Sequence, residues 1–199
     1  MKKQILVFVV SYALPFSMQA QTETLRDYKN FPIVITLQFH SLAMPFQDIK
    51  SNFSNIGLGL GTEVSYNGKQ NWSQQINAVW YRNKTVGNGL LFYTQAAWRP
   101  AIKSNLYAEV KAGAGYLISF RPVESYKQVN DNWISVGHKG KGMFTIPIGI
   151  SLGYNTQFSG TNFSPFISYQ FLIVSGYNKS IPVVPETLIQ VGSRIHLNH

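Results

Sequence analysis

The chain contains no cysteine among its 199 residues, and this absence removes several kinds of chemistry together. Disulfide frameworks, thiolate zinc sites, iron–sulfur clusters and cysteine nucleophiles all require a thiol. Charged residues are also scarce: they make up 13% of the chain, about half of the share that is typical of soluble globular domains. Beyond its N-terminal residues the sequence also lacks any apolar run of about 18 residues, so it has no candidate for a membrane-spanning helix.

Basic, aromatic and glycine residues are what the chain has instead. It carries 17 Lys and Arg against 8 Asp and Glu, which gives a formal charge of +9, and 16 glycines. Aromatic residues reach 14%. The length is that of one domain, and this combination is unusual for a cytosolic enzyme.

The N-terminus has the three-part pattern of an export signal. Lys2 and Lys3 precede an apolar run from Ile5 to Phe16, and the small residue Ala20 follows in a position suited to cleavage. Export machinery and signal peptidase recognise these three features. We therefore expect residues 1–20 to be a cleaved signal peptide, which places the folded part of the chain outside the cytoplasm.

Apolar and polar residues alternate along most of the remaining chain. From Phe144 to Tyr154 every even position is apolar, whereas the odd positions are Thr, Pro, Gly, Ser and Gly. The same split recurs over residues 56–66 and 106–120. A period of two is that of a β-strand with one apolar face, and glycine at alternate positions would cost about 1 kcal/mol each in a helix. The pattern predicts an all-β fold.

Weaker copies of the alternation bring the predicted strands to about eight. The copies cover residues 33–46, 72–82, 90–99, 163–174 and 187–197. Short connections, such as 100–105 and 156–162, alternate with longer ones, of which 121–143 is the longest. Short turns at one rim and long loops at the other are typical of membrane barrels. We predict a closed antiparallel up-and-down transmembrane β-barrel, in which Pro45, Pro147 and Pro165 mark bulges or local breaks.

The polar face of the predicted strands is expected to line the barrel interior. It mixes a few charged residues with many Gly and Ser, whereas a water-facing exterior would be dense in Lys and Glu. Five charged residues share this parity and are expected to form a paired interior network: Glu63, Arg99, Glu109, Lys111 and Arg194. An eight-stranded barrel is filled by its own side chains, so we expect no open pore.

Aromatic residues of the apolar face fall into two groups along the strands. One group lies near the short turns and the other near the long loops: Tyr66, Trp72, Trp98, Tyr154 and Phe163, against Trp80, Phe92, Phe120 and Phe144. Two aromatic belts mark the two interfaces of a membrane.

The last predicted strand, Gln190 to Leu197, has a polar residue, a glycine two positions later, and hydrophobic residues at the fifth and seventh positions. It resembles the C-terminal β-signal of outer-membrane proteins, with Leu197 in the place of the usual aromatic residue. From about Phe31 to Leu197 the chain is similar to the outer membrane protein β-barrel domain family, in the form known from Bacteroidetes. The resemblance implies a barrel at residues 33–197 and a periplasmic segment at residues 21–32.

The same resemblance implies the location and partners of the protein. We expect the outer membrane of a Gram-negative cell, contact with outer-membrane lipid and lipopolysaccharide, and recognition by the barrel assembly machinery through the C-terminal segment. A monomer is expected. No cofactor and no nucleic acid partner are expected.

Three functions remain open. The favoured one is a structural or surface-interaction role. The alternatives are a membrane-embedded lipid A or phospholipid hydrolase, and a soluble lipocalin-like barrel that binds an apolar ligand. Lipid A deacylases carry a His-x-Ser motif, whereas His40 and Ser41 are adjacent here and should lie on opposite faces of a strand. We assign no catalytic, cofactor-binding or metal-ligating residue.

The longest loop, residues 121–143, is predicted to form a hairpin beyond the membrane. Tyr126 and Trp133 are candidates either for a surface contact or for pairing with each other across this hairpin, and pairing is favoured. His138, Lys139 and Lys141 are further candidates for a surface contact, because basic loop residues attract the phosphates of lipopolysaccharide.

Overall fold

The computed structural model describes residues 31–47, 50, 53, 55–67, 71–84, 87–103, 105–120, 122, 124–137, 140–158, 161–177 and 181–196. The expected signal peptide, most of the expected periplasmic segment and Leu197 lie outside these residues. Within them, a helix of the length and apolarity needed to cross a membrane is not found.

Strands account for nearly all of the regular structure. In chain order they are β1 (Ile33–Ser41), β2 (Ile56–Ser65), β3 (Trp72–Tyr81), β4 (Asn88–Trp98), β5 (Ala101–Lys103), β6 (Leu106–Phe120), β7 (Ser125–Val129), β8 (Asn132–Gly137), β9 (Lys141–Tyr154), β10 (Thr156–Phe158), β11 (Thr161–Ser175) and β12 (Val183–His196). Eight of these strands form the barrel wall in the order β1, β2, β3, β4, β6, β9, β11 and β12. Strands β5 and β10 are short additions, and β7 pairs with β8 as a separate hairpin.

The barrel closes because the first strand pairs with the last. Strand β1 runs antiparallel to β12 from the pair Ile33–Ile195 to the pair Ser41–Thr187. Every other wall strand also pairs antiparallel with its neighbours. The predicted closed antiparallel eight-stranded barrel is confirmed. We call the end with the short connections the turn rim, where β1 begins and β12 ends, and the opposite end the loop rim.

Of the predicted strand ends, two differ most from the structure. The first strand was predicted to reach Phe46 but ends at Ser41, because the chain leaves the sheet there and Phe46 stacks on Tyr169 of β11. The last strand was predicted to begin at Thr187 but begins at Val183, since β11 is long enough to pair with it as far as Ser175. Tertiary partners, which periodicity does not reveal, set both ends.

Pro147 lies inside β9 and produces a local break, as predicted. The β6–β9 ladder runs to the pair Ala112–Ile148 and resumes at Gly115–Thr145 with the same register. A proline has no N–H to donate to a ladder, so the interruption beside it is expected. The strand therefore continues in register on both sides of the proline.

The lumen of the barrel is packed with side chains. An apolar layer lies toward the loop rim and comprises Val79, Tyr81, Leu91, Tyr93, Leu117, Met143, Leu172, Val174 and Leu188. Glycine leaves room for the larger neighbours: a Cβ at Gly153 would stand 2.2 Å from the ring of Tyr107, and a Cβ at Gly149 would stand 2.4 Å from the Gln170 side chain. Alternating glycines thus make space for bulky lumen residues in a narrow barrel.

Candidate functional site

The charged residues predicted for the interior meet in one cluster near the turn rim. Glu63 comes from β2, Arg99 follows β4, Glu109 and Lys111 lie on β6, and Arg194 lies on β12. These positions belong to strands on different sides of the lumen. We call these five residues the ionic cluster. Glu63, Glu109, Lys111 and Arg194 are buried, and Arg99 is largely so.

Arg194 is the centre of the ionic cluster. Its Nη2 donates to both carboxylate oxygens of Glu109, at 2.8 and 2.9 Å, and its Nε donates to Glu63 Oε2 at 3.0 Å. Its Nη1 donates to the hydroxyl of Tyr107 at 2.6 Å. The guanidinium carbon also lies 4.4 Å from the ring centroid of Phe166. A planar fork with several donors suits this position better than the point charge of a lysine.

Arg99 completes a closed arrangement of two carboxylates and two guanidinium groups. Its Nε donates to Glu109 Oε1 at 2.6 Å, and its Nη2 donates to Glu63 Oε2 at 2.7 Å. Lys111 is more peripheral: its Nζ lies 3.9 Å from Glu109 Oε2 and donates to the Ser168 hydroxyl at 3.0 Å. Buried charges persist in a protein when they are paired and hydrogen-bonded, and these contacts meet both conditions.

A layer of glutamines spans the middle of the lumen. Gln95 on β4 and Gln170 on β11 exchange two hydrogen bonds, at 2.9 and 3.1 Å. Gln170 also donates to Gln190 at 3.3 Å, and Gln190 donates to the Tyr93 hydroxyl at 3.1 Å. These bonds connect opposite walls. A cavity of about 10 Å³ remains beside Lys111 and Arg194, which is room for about one water molecule.

A second polar cluster near the loop rim was missed by the sequence reasoning. His40 Nε2 lies 3.1 Å from Glu186 Oε2, and its Nδ1 lies 2.9 Å from the amide nitrogen of Asn83. The hydroxyl of Tyr81 donates to the same Glu186 oxygen at 2.9 Å, and its ring stacks on the imidazole at 4.0 Å. The last predicted strand begins at Thr187 and so excludes Glu186. The even number of Glu186, which it shares with the lumen-facing Leu188 and Gln190, is the signal that could have included it.

The environment of His40 bears on the hydrolase alternative. Ser41 lies on the other face of β1, as the adjacency of the two residues predicted, and both ring nitrogens of His40 face Glu186 and Asn83. His40 therefore has no serine nucleophile as a ring partner in these contacts. Within the described residues, no group of three or more His, Asp or Glu side chains is arranged to hold a metal ion.

The outer wall is apolar and exposed, whereas the lumen is polar outside its apolar layer. The exposed residues of the wall include Ile35, Ile56, Leu58, Leu60, Ile76, Val110, Ile146, Ile148, Ile150, Leu152, Ile167 and Val191. The predicted aromatic groups lie on the same wall, where the Trp72 and Trp98 rings are neighbours at 6.4 Å. A soluble lipocalin-like barrel needs apolar residues in its lumen to contact an apolar ligand. The lumen around the ionic cluster is charged and offers no such contact.

Strands β7 and β8 form the predicted hairpin between β6 and β9. The favoured pairing of Tyr126 with Trp133 was wrong, because the register places Tyr126 opposite Ser135 and Trp133 opposite Gln128. Trp133 is 68% exposed. The carboxylate of Glu124 accepts hydrogen bonds from the hydroxyls of Tyr126 and Ser135, each at 3.2 Å. The side chains of Tyr126 and Trp133 are both exposed to solvent.

Of the three basic candidates in the same loop, the structure describes Lys141 alone. Lys141 begins β9 and donates a hydrogen bond through Nζ to the backbone carbonyl of Tyr177, which links two connections at the loop rim. His138 and Lys139 lie outside the described residues. The structure thus brings the five residues of the ionic cluster together. Of the surface candidates that it describes, Tyr126 and Trp133 lie on the hairpin, whereas Lys141 contacts the connection between β11 and β12.

Comparison with known proteins shows the fold alone. No protein-family description matches the chain, and no curated protein is similar to it in sequence. Neisserial surface protein A has a similar structure, with a TM-score of 0.52 and 8% identity over 84% of this chain and 97% of that one. The attachment invasion locus protein of Yersinia pestis matches with a TM-score of 0.51 and 14% identity over 83% and 97% of the two chains.

Proposed function

We propose that the chain is an outer-membrane β-barrel protein of a Gram-negative bacterium, without an open pore, that has a structural or surface-interaction role. The observation that carries this proposal is the inverted distribution of polarity, with hydrophobic residues around the outer wall and charged residues in the lumen. A closed sheet with an exposed apolar band is stable in a lipid bilayer. The two aromatic belts also support a membrane location.

The filled lumen favours a role other than diffusion. The ionic cluster, the glutamine layer and the apolar layer follow one another along the barrel axis and link strands across it. An eight-stranded barrel encloses just enough space for its own side chains. The proposed activity therefore belongs to the surface outside the membrane.

The β7–β8 hairpin is the proposed contact surface. Its exposed aromatic rings, Tyr126 and Trp133, are of the type that contributes most to binding between proteins. The similar barrels from Neisseria and Yersinia pestis are named for the surface and for attachment and invasion. These names support, for this chain, a role in contact with an external partner.

Three further points of the proposal rest on the sequence. The basic loop residues His138, Lys139 and Lys141 are proposed to attract lipopolysaccharide phosphates. The C-terminal segment from Gln190 to Leu197 is proposed to be recognised by the barrel assembly machinery. The barrel is proposed to be a monomer and a member of the outer membrane protein β-barrel domain family.

Cell fractionation followed by gel electrophoresis tests the membrane location. We expect the mature protein in the outer-membrane fraction, and we expect the unheated sample to migrate faster than the boiled one, because a closed barrel resists unfolding in detergent. A protein found in the soluble periplasmic fraction, with equal migration before and after boiling, would contradict the proposal.

Replacement of residues 125–137 by a short Gly-Ser linker tests the surface role. We expect this variant to keep its heat-dependent migration, because the hairpin forms its own two-stranded sheet, and to lose adhesion of the expressing cells to host cells or matrix. The matched control is Glu124→Gln, which leaves the aromatic rings in place. Equal adhesion by cells with and without the hairpin would refute the surface role while leaving the membrane location intact.

A further inference from the structure

The chain leaves the barrel at the end of β1 and crosses the outside of the wall. Ser41 pairs with Thr187 of β12, and Tyr169 of β11 pairs with Ile189 of β12. Phe46 stacks on the outward-facing ring of Tyr169 at 4.8 Å, and its backbone N–H donates to the Tyr169 hydroxyl at 2.8 Å. To connect Ser41 with Phe46, residues 42–47 must therefore pass over the outer face of β12. We call these residues the outer segment.

Burial on the outer wall agrees with this path. Thr187 and Ile189 point outward from β12, yet they are 0% and 9% exposed, whereas Val191, two positions further toward the turn rim, is 47% exposed. The outer segment thus covers the part of β12 that lies nearest the loop rim. Phe53, further along the same connection, packs on the outward-facing Phe39 of β1 at 5.1 Å.

The backbone at Phe46 is held by these contacts. Its φ of 61° lies in the left-handed region, which costs free energy for a residue other than glycine. Such a conformation persists where surrounding contacts fix it. The stacked ring and the hydrogen bond to Tyr169 are contacts of this kind, so the position of the outer segment against the wall is specified.

The outer segment carries exposed apolar side chains. Its sequence is Leu-Ala-Met-Pro-Phe-Gln, without a charged residue, and Leu42, Met44 and Phe46 are exposed. Toward the turn rim, the exposed wall residues Ile167 of β11 and Val191 of β12 are apolar as well. A water-exposed loop tip would normally be polar, with scattered apolar residues only.

Strand lengths place the outer segment at the level of a membrane interface. Ser41 is the last of the nine residues of β1, and Tyr169 is the ninth residue of β11, both counted from the turn rim. A tilted strand needs about 9–11 residues to cross a bilayer. Both anchor points of the outer segment therefore lie where the hydrocarbon core ends on the loop side.

We propose that the outer segment is a lipid-binding element that inserts Leu42, Met44 and Phe46 among the acyl chains of the outer leaflet. This inference rests on the proposed membrane location. Apolar side chains that reach the headgroup and acyl boundary are stabilised there by burial, as in helices that lie in an interface. The occupant of this surface is thus lipid hydrocarbon rather than a protein partner.

Site-directed spin labelling tests the inference directly, since the chain has no native cysteine. Met44→Cys and Leu42→Cys report on the outer segment, Leu58→Cys reports on the outer wall, and Trp133→Cys reports on the hairpin. Each labelled protein is refolded into phosphatidylcholine vesicles, and its heat-dependent migration checks the fold. Collision rates with oxygen, which concentrates in lipid, and with a water-soluble nickel chelate are then measured.

We expect labels at positions 42 and 44 to match Leu58→Cys, with high oxygen collision and a nickel collision rate severalfold below that of Trp133→Cys. Nickel collision at positions 42 and 44 equal to that of Trp133→Cys, with Leu58→Cys still protected, would overturn the inference and leave the membrane barrel standing. Nickel access at Leu58→Cys in a folded sample would overturn the proposed membrane location, and this inference with it.

Discussion

Arg194 on β12 and Glu109 on β6 meet inside the barrel, where one guanidinium nitrogen bonds both carboxylate oxygens at 2.8 and 2.9 Å. The two strands are separated in the wall by β9 and β11. Both side chains are buried, so each depends on the other for most of its hydrogen bonding. The pair therefore ties distant strands together, and the loss of one member leaves the other charged and enclosed.

Substitution of Arg194 should destabilise the barrel more than substitution of Lys111. Arg194→Met leaves Glu63 and Glu109 short of a partner, which we expect to lower the free energy of unfolding by about 3–5 kcal/mol. Lys111→Met should change it by no more than about 1 kcal/mol, because Lys111 has one neutral hydrogen bond and a distant carboxylate. Urea unfolding in lipid vesicles, followed by tryptophan fluorescence, measures both. Equal losses in the two variants would show that Arg194 is not the centre of the cluster.

Removal of the Glu186 carboxylate should destabilise the loop end of the lumen. Glu186→Ala deprives both the Tyr81 hydroxyl and the His40 ring of a buried partner, at a cost of about 1–3 kcal/mol. Glu186→Gln keeps one acceptor oxygen and should cost less. Glu124→Gln, on the exposed hairpin, serves as the control and should lie within about 0.5 kcal/mol of the parent. The thermal unfolding midpoint in detergent reports the order, and a Glu186→Ala midpoint equal to that of the control is the contrary result.

Phe46 and Tyr169 should be coupled energetically. A stacked aromatic pair contributes about 0.5–1.5 kcal/mol beyond the area that it buries, so the double variant Phe46→Ala/Tyr169→Ala should lose less stability than the sum of the single variants by that amount. Trp133→Ala combined with Tyr169→Ala provides the comparison and should be additive. The same urea titrations yield the coupling. Additivity for Phe46 and Tyr169 would mean that the outer segment is not held to β11 by this contact.

A side chain at Gly153 should be harmful because of its neighbour across the lumen face. A Cβ there would stand 2.2 Å from the ring of Tyr107, which is itself bonded to Arg194. We expect Gly153→Val to cost about 1–3 kcal/mol, the usual range for overpacking. Ser151→Ala, two positions away on the same face, removes a hydroxyl that has no hydrogen-bond partner among the described residues and should be neutral or slightly stabilising. A lower unfolding midpoint for Ser151→Ala than for Gly153→Val would contradict this expectation.

The wall of the barrel was predictable because each of its strands has a period of two. Alternation over residues such as 144–154 specifies both the strand and the face that meets the lumen, and it assigned the residues of the ionic cluster to that face. Short and long connections then specified an up-and-down order with both ends at one rim. However, the alternation predicts only which face of the strand a residue lies on. It does not predict which side chain that residue contacts.

The tertiary structure decided the partners, because they come from strands far apart in the chain. His40 and Glu186 are separated by 146 positions, and only the closure of β1 on β12 brings them together. The outer segment depends on the same closure, since Tyr169 is within reach of Phe46 only when β11, β12 and β1 are neighbours. Local alternation thus determined the barrel and its two faces, whereas strand register and the seam determined which side chains meet within it and which segment covers its outside.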